Sequence, residues 1–482
     1  MTAHLQGKSR WLALVILCLG DLMIVLDSTV VNVALPSIRS DLGFTETSLV
    51  WVVNAYLLTY GGFLLLGGRL GDLYGHRRLF LYGIVFFTLA SLACGLATTQ
   101  TLLIAARAIQ GLGGAVVSAV ALSLIMLLFT EDAERAKAMG VFGFVMAGGG
   151  TVGVLMGGLL TDALNWHWVF LVNIPVGALV FGLCLALVPD DHAGEKNEKL
   201  DVGGAFTVTL SLLLAVYAIV DGNEAGWGSA QTIGLLVAAA LLMALFLVIE
   251  LKVSHPLMPL GLFRHRNLSV SNIAGVLWAA AMFAWFFLSA LYMQLVLNYT
   301  PMEVGLAFLP ANLIMGAFSL GLSAKLVTRF GIRAPLAIGL LLAAAGLVLF
   351  ARAPVEGAFW VDVMPGMTLL GLGAGIAFNP ILLAAMNDVG PSESGLASGV
   401  VNTSFMMGGA LGLAILASLS AAETTEALAG GAALPAALNE GYQLAFLVGA
   451  ICAAVAGALA FLLRQPPTSP EPAGVPAPAE AE

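Results

Sequence analysis

The chain is a succession of long apolar stretches separated by short polar breaks. Runs of membrane-spanning length, which need about 20 residues each, fall at roughly 11–36, 48–68, 78–98, 101–129, 138–160, 167–188, 202–220, 231–250, 268–297, 304–324, 335–351, 361–386, 395–421 and 441–463. Each predicts a helix, and they are numbered spans 1 to 14. The first run follows Lys8 and Arg10, is too long for the core of a signal peptide and has no cleavage pattern after it, so it is expected to stay attached as span 1. From Arg464 to Glu482 six prolines and no apolar run predict a disordered end.

Composition supports a chain that lies mostly in the bilayer. Of 482 residues, 60% are hydrophobic and 10% charged, against about 45–50% and about 25% in soluble domains. A soluble enzyme, a disordered chain and a nucleic-acid binder are excluded. The net charge of −9, without a basic stretch, would repel a phosphate backbone. Cys18, Cys94, Cys184 and Cys452 all lie within apolar runs and form neither a disulfide framework nor a CxxC metal spacing, so they are expected as small buried hydrophobes. No metal and no cofactor is expected.

An even number of spans puts both ends on one side. With the N-terminus inside, 16 of the 19 Lys and Arg residues fall in inner segments, Arg39 and Arg352 fall outside, and Arg107 falls within span 4. This asymmetry predicts cytoplasmic ends in a cell-membrane protein.

Two inner loops echo one another, GRLGDLYGHRR from Gly68 to Arg78 and AKLVTRFGIRA from Ala324 to Ala334. Each joins the second and third spans of a six-span group, the duplication from which many secondary transporters are built. The expected organisation is an all-α multi-pass membrane protein: a cytoplasmic N-terminus (1–10), a six-helix bundle (11–188), a linker with two extra spans (189–267), a second six-helix bundle (268–463) and the tail (464–482).

Charge inside a bilayer is costly, so an ionisable residue there is a functional candidate. Away from span ends these are Asp21 and Asp27 in span 1 and Arg107 in span 4. At 1.5 Å per residue Asp27 lies about 13 Å and Arg107 about 9 Å below the outer surface, so the two can pair. Such a pair is either a static lock on the N-terminal bundle or a carboxylate balanced between desolvation and Arg107, able to bind and release a proton. Asp21, Ser28 and Asn32 share one face of span 1 and Asp27 lies about 120° away from Asp21, so one acid can face a cavity and the other the bundle. Spacing alone leaves open which does so.

Span 4 carries a stripe of Arg107, Gln110, Gly111, Gly114 and Ser118, and span 5 carries Gly149, Gly153 and Gly157 with Gly158 beside them. Small residues at such intervals permit close helix approach. Near a helix end, Asp72 with Arg77 and Arg78 is a candidate cytoplasmic gate between the halves, the alternative being a solvated loop that obeys the positive-inside pattern. On span 9, Trp278, Met282, Trp285 and Tyr292 lie on one face that either lines a substrate cavity with Asp21, Asn32 and Gln110, or forms a lipid-facing belt.

LDSTVVNVALP at Leu26, GRLGDLYGHRR at Gly68, RAIQGLGGA at Arg107 and GGTVGVLMGG at Gly149 resemble four motifs of the major facilitator superfamily, in particular its fourteen-span drug:proton antiporter family. NWHWVFLVNIPVG at Asn165 resembles the start of that family's sixth span, and GLASGVVNTSFMMGGALG at Gly395 its penultimate one. The resemblance covers nearly the whole chain. It implies Asp27 as the family's span-1 acid, Arg107 as the span-4 arginine linked to proton coupling, Asp72, Arg77 and Arg78 as the gate, and the span-5 glycines as the motif associated with export. Val154 departs from the family by replacing the usual proline, which removes the reason for a kink in span 5. His76 and His167 stand where a basic residue is common, so local charge there can follow pH.

The expected function is proton-driven efflux of amphipathic organic compounds such as antibiotics by alternating access, with protons, lipid and a small organic substrate as partners and a monomer as the working form. The alternatives are a dedicated exporter of one secondary metabolite and a nutrient importer on the same fold. No catalytic constellation sits at one membrane depth, so no enzyme is expected.

Overall fold

A computed structural model describes residues 7–464 except 130, 189–199, 255, 319–321, 388 and 390–393. The expected tail, part of the linker and most of the N-terminal segment lie outside the described residues.

The described secondary structure is helical, and twelve of the helices are long and apolar enough to cross a membrane. They are spans 1 to 4 (Gly7–Leu42, Glu46–Tyr74, His76–Gly95, Gln100–Leu128), span 6 (Trp168–Leu187), span 7 (Val202–Ala225), span 8 (Ala230–Lys252) and span 9 (Arg266–Val296). Span 11 (Arg333–Phe350), span 12 (Phe359–Met386), span 13 (Ser394–Ala429) and span 14 (Leu434–Leu459) complete them. The remaining two expected runs are also helical: span 5 is Asp132–Ala163, and span 10 begins as the shorter apolar helix Pro301–Ala317, with Ser323–Phe330 following.

Local chemistry places several of these starts. Thr45 caps span 2 in a reciprocal box with Ser48, and Thr300 does the same for span 10 with Glu303, with Pro301 in the first turn. Thr99 and Ser229 cap spans 4 and 8. The two echoing loops share a turn: Gly75 at φ +92° and Gly331 at φ +74° occupy the left-handed region that a Cβ disfavours. The Tyr/Phe-Gly signature of the repeat is therefore the signature of one backbone bend made twice.

Helices run past the apolar stretches that announce them. Span 1 continues through Pro36 to Leu42, span 13 continues to Ala429, and span 14 starts at Leu434. Hydropathy marks only the part of a helix that needs lipid, whereas backbone hydrogen bonding carries the helix on into water. Glu423, Glu426 and Glu440 are thus on helix ends.

Spans 1 to 6 form one bundle and spans 9 to 14 the other. The halves meet where span 2 packs on span 13 and span 5 on span 10. Span 7 sits over that seam, against both span 2 and span 13, and span 8 packs mainly on span 7. Span 8 is correspondingly the least buried of the twelve.

Candidate functional site

Span 4 approaches span 2 closely enough for side chains to reach across because Gly111 faces the backbone oxygen of Tyr56, where a Cβ would come within 2.4 Å. This contact carries Arg107 into the N-terminal bundle, where its Nε donates to the carbonyl of Val52 at 2.9 Å. Its Nη1 reaches Oδ2 of Asp27 at 2.5 Å and Oε1 of Gln110 at 2.6 Å. The guanidinium also lies 4.3 Å from the centroid of the Tyr56 ring and 5.6 Å from that of Phe170.

Asp27 is surrounded by donors. Besides Arg107, Nε2 of Gln110 at 2.7 Å and Nδ2 of Asn173 at 2.8 Å both donate to its Oδ1. Both amides also donate to the Ser91 hydroxyl, which donates in turn to the carbonyl of Phe170. Asp27 and Arg107 are each 1% exposed. A buried ion pair is tolerable only when its remaining hydrogen-bonding capacity is met, and here five helices, spans 1, 2, 3, 4 and 6, meet it.

Asp21 lies six residues earlier, about 9 Å nearer the end that holds the termini. It accepts a hydrogen bond from the Ser118 hydroxyl of span 4. Between the two acids stand Tyr56 and Tyr60, stacked at 5.8 Å. Asp27 thus faces the bundle interior and holds a cation, while Asp21 is buried beside hydroxyl and phenol groups. Gln110 joins Asp27 and not Asp21, and Asn32 is buried with its amide turned to the carbonyl of Ser28.

The glycines of span 5 divide between two contacts. Gly149, Gly153 and Gly157 face Leu22, Thr29 and Val30 of span 1, whereas Gly158 faces the backbone of Pro301 and Met302 across the seam. Span 5 is one unbroken helix through Val154. At this end of the molecule, opposite the termini and called the far end below, further bonds join the halves. Gln294 Nε2 donates to the carbonyl of Val33 at 2.9 Å, and the Tyr442 hydroxyl donates to Glu46, itself paired with Arg39.

Trp278, Trp285 and Tyr292 are buried inside the second bundle, at 0%, 2% and 1% exposure, and Met282 is half-buried. A lipid-facing belt does not describe them. Trp285 packs on Phe286 and Phe308, and the Tyr292 hydroxyl donates to the carbonyl of Pro354. Both indole N–H groups are buried, and among the described residues neither has a hydrogen-bond partner. The Arg77 guanidinium donates to the carbonyl of Leu185 within its own half, and Arg78 is exposed. The side chain of Asp72 lies outside the described residues.

Nothing in the sequence alone singles out Ser91, Asn173 or Tyr56. Ser91 and Asn173 are uncharged polar residues in apolar runs, which is a usable signal only once their depth matches that of Asp27.

A helical chain whose described residues include twelve candidate membrane spans, with a span-1 acid held by a span-4 arginine, matches the Major Facilitator Superfamily profile over residues 17–413. The protein belongs to the Major Facilitator Superfamily. It is 40% identical to a puromycin resistance protein of Streptomyces alboniger over 93% of this chain and 91% of that one. It is 37% identical to a cephamycin export protein of Amycolatopsis lactamdurans, over 86% of this chain and 85% of that one. A tetracenomycin C resistance and export protein of Streptomyces glaucescens is 32% identical, over 86% of this chain and 77% of the relative. Among solved structures, the xylose transporter of E. coli shares the fold at TM-score 0.60 and 14% identity, covering 92% of this chain and 97% of that one.

Proposed function

We propose that this protein exports amphipathic organic compounds, antibiotics among them, across the cytoplasmic membrane by alternating access, driven by inward proton flow. The observation that carries the reading is the Asp27–Arg107 pair with Gln110 and Asn173 on the same carboxylate. Protonating Asp27 removes the charge that holds Arg107, and the other partners of Arg107, the Val52 carbonyl and Gln110, remain to receive it. One proton can therefore repack five helices of one half, the kind of bistable change that shifts one bundle against the other. The far-end bonds between halves fit the state whose cavity opens toward the termini, and the sixteen-to-two charge asymmetry supports assigning that side to the cytoplasm.

Export, as opposed to uptake, is supported by relatives named for resistance and export at 32–40% identity. In this reading the unit is a monomer, with domains divided at 188 and 268 by the linker and its extra pair. Asp72, Arg77 and Arg78 form its cytoplasmic gate, and substrate is taken by Asp21, Asn32 and the aromatic face of span 9 that bears Trp278, Met282, Trp285 and Tyr292. The unpartnered indole N–H groups of Trp278 and Trp285 supply hydrogen-bond donors within apolar walls.

The test is Asp27→Asn, an amide of the same shape that cannot cycle a proton. Energised cells carrying this variant should show no dye efflux above background at normal membrane abundance. Full efflux at normal abundance removes Asp27 from the coupling.

A further inference from the structure

A cleft of about 510 Å³ opens at the far end, apart from the Asp27 site, between span 7 on one side and spans 2 and 4 on the other. Its polar and aromatic walls are unequal in what they leave available. The Thr45 and Ser48 hydroxyls are engaged in the cap of span 2, and the Gln100 amide donates to the carbonyls of Leu42 and Gly43. Left to face an occupant are the rings of Trp51 and Tyr217, with centroids 6.3 Å apart, and the carboxylates of Asp221 and Glu224. These two acids are one turn apart on span 7, so they project to the same side. One oxygen of Asp221 accepts from Gln231, while Glu224 is exposed. None of the ten lining residues is Lys or Arg, and Ile104 and Val220 supply apolar surface.

We propose that this cleft is a second binding site, for the ammonium head of an amphiphile. Two carboxylates beside two aromatic faces fit an ammonium head, which gains from the ring quadrupoles as well as the acids. An anionic head would meet carboxylates with no compensating cation. The cleft lies at the level of the loops, where the head of an amphiphile sits while its apolar body remains among the helices. Its walls belong to different parts of the molecule: Trp51 and Ile104 sit on the first bundle, whereas span 7 is tied to span 13 of the second through Asn223, which donates to the Ser418 carbonyl and hydroxyl. An occupant therefore bridges the seam. The same chemistry is carried by a cationic organic solute and by the headgroup amine of a membrane lipid.

The test uses the full chain in nanodiscs of phosphatidylglycerol with a photoreactive quaternary-ammonium amphiphile, followed by peptide mapping. Labelling should fall on the segments that bear Trp51, Ile104 and Tyr217, and a neutral isostere of the probe should label them weakly. Glu224→Gln, at an exposed position, should lower that labelling several-fold, and Asp221→Asn with Glu224→Gln about tenfold, with unchanged labelling elsewhere in the chain. Nanodiscs enriched in phosphatidylethanolamine distinguish the sources. Suppressed labelling identifies the lipid amine as occupant, and undiminished labelling identifies the free solute. Equal labelling by the neutral isostere, labelling indifferent to both substitutions, or labelling confined to other segments overturns the site. Because no step involves Asp27, Asp27→Asn should leave the labelling intact, which separates failure of this site from failure of the export reading.

Discussion

Asp27 and Asp21 sit on the same helix, both buried, and differ in what surrounds them. Asp27 accepts from a guanidinium and two amides, whereas the recorded partner of Asp21 is one hydroxyl. The charge of Asp27 is thus built into the packing of the first bundle, and each donor is a structural element. Asn173→Leu would leave Oδ1 with the Gln110 amide as its remaining recorded donor and would deprive Ser91 of one donor. Losing one of two hydrogen bonds to a buried carboxylate oxygen should cost about 1.5–3 kcal/mol, read as a lower thermal midpoint of the purified protein. Ser91→Ala, which removes no donor from Asp27, should cost less. Equal midpoints for Asn173→Leu and wild type would show that the amide does not support the acid. At this scale the sequence made the charged pair legible, because few charges enter a bilayer. It did not make Asn173 or Ser91 legible, because neutral polar residues enter often and for many reasons.

Among the helices, glycine spacing has two meanings that sequence merges. A Cβ on Gly157 would come within 2.6 Å of the Val30 carbonyl inside one bundle, and a Cβ on Gly158 within 2.7 Å of the Pro301 carbonyl in the other half. Neighbouring residues, about 100° apart around the helix, thus serve internal packing and the seam between halves. Gly158→Ala should force the halves apart at the far end, since backbone cannot yield as a flexible side chain does. With Gln294→Cys as reporter, alkylation by an impermeant maleimide from that side should rise several-fold over the glycine parent. Gly150→Ala, at which a Cβ meets nothing within 4 Å, should leave the rate unchanged. A rate that does not respond to Gly158→Ala means that this contact does not govern closure. The same scale explains the mismatch at helix ends, where the hydropathy of spans 13 and 14 stops before the helices do.

Over the whole molecule, the inserted pair is added at a seam that the two bundles already complete, with span 7 resting on both and span 8 on span 7. Its hairpin puts Gly228 and Ser254 at opposite ends, both exposed and neither serving as a cap. Gly228→Cys and Ser254→Cys should therefore label from opposite sides of the membrane, Ser254 from the cytoplasm. Half-buried Cys452 is first replaced by Ser, while the other three native cysteines are buried. Labelling of both from one side would contradict a fourteen-span topology.

The succession of apolar helices, the two echoing loops, the charge asymmetry and the rarity of Asp27 and Arg107 as charges within apolar runs were legible in the sequence alone. A bilayer imposes its requirements on each segment separately: about 20 apolar residues, satisfied backbone, and few buried charges. Which side of each helix meets which neighbour was decided only by the tertiary structure. Rotation about a helix axis is set by the fit of small and large residues across several spans at once, as Gly111 against Tyr56 and Gly158 against Pro301 show. That rotation turned Asp27 and Gln110 into one network, left Asp21 to Ser118, and buried Trp278 and Trp285 away from lipid.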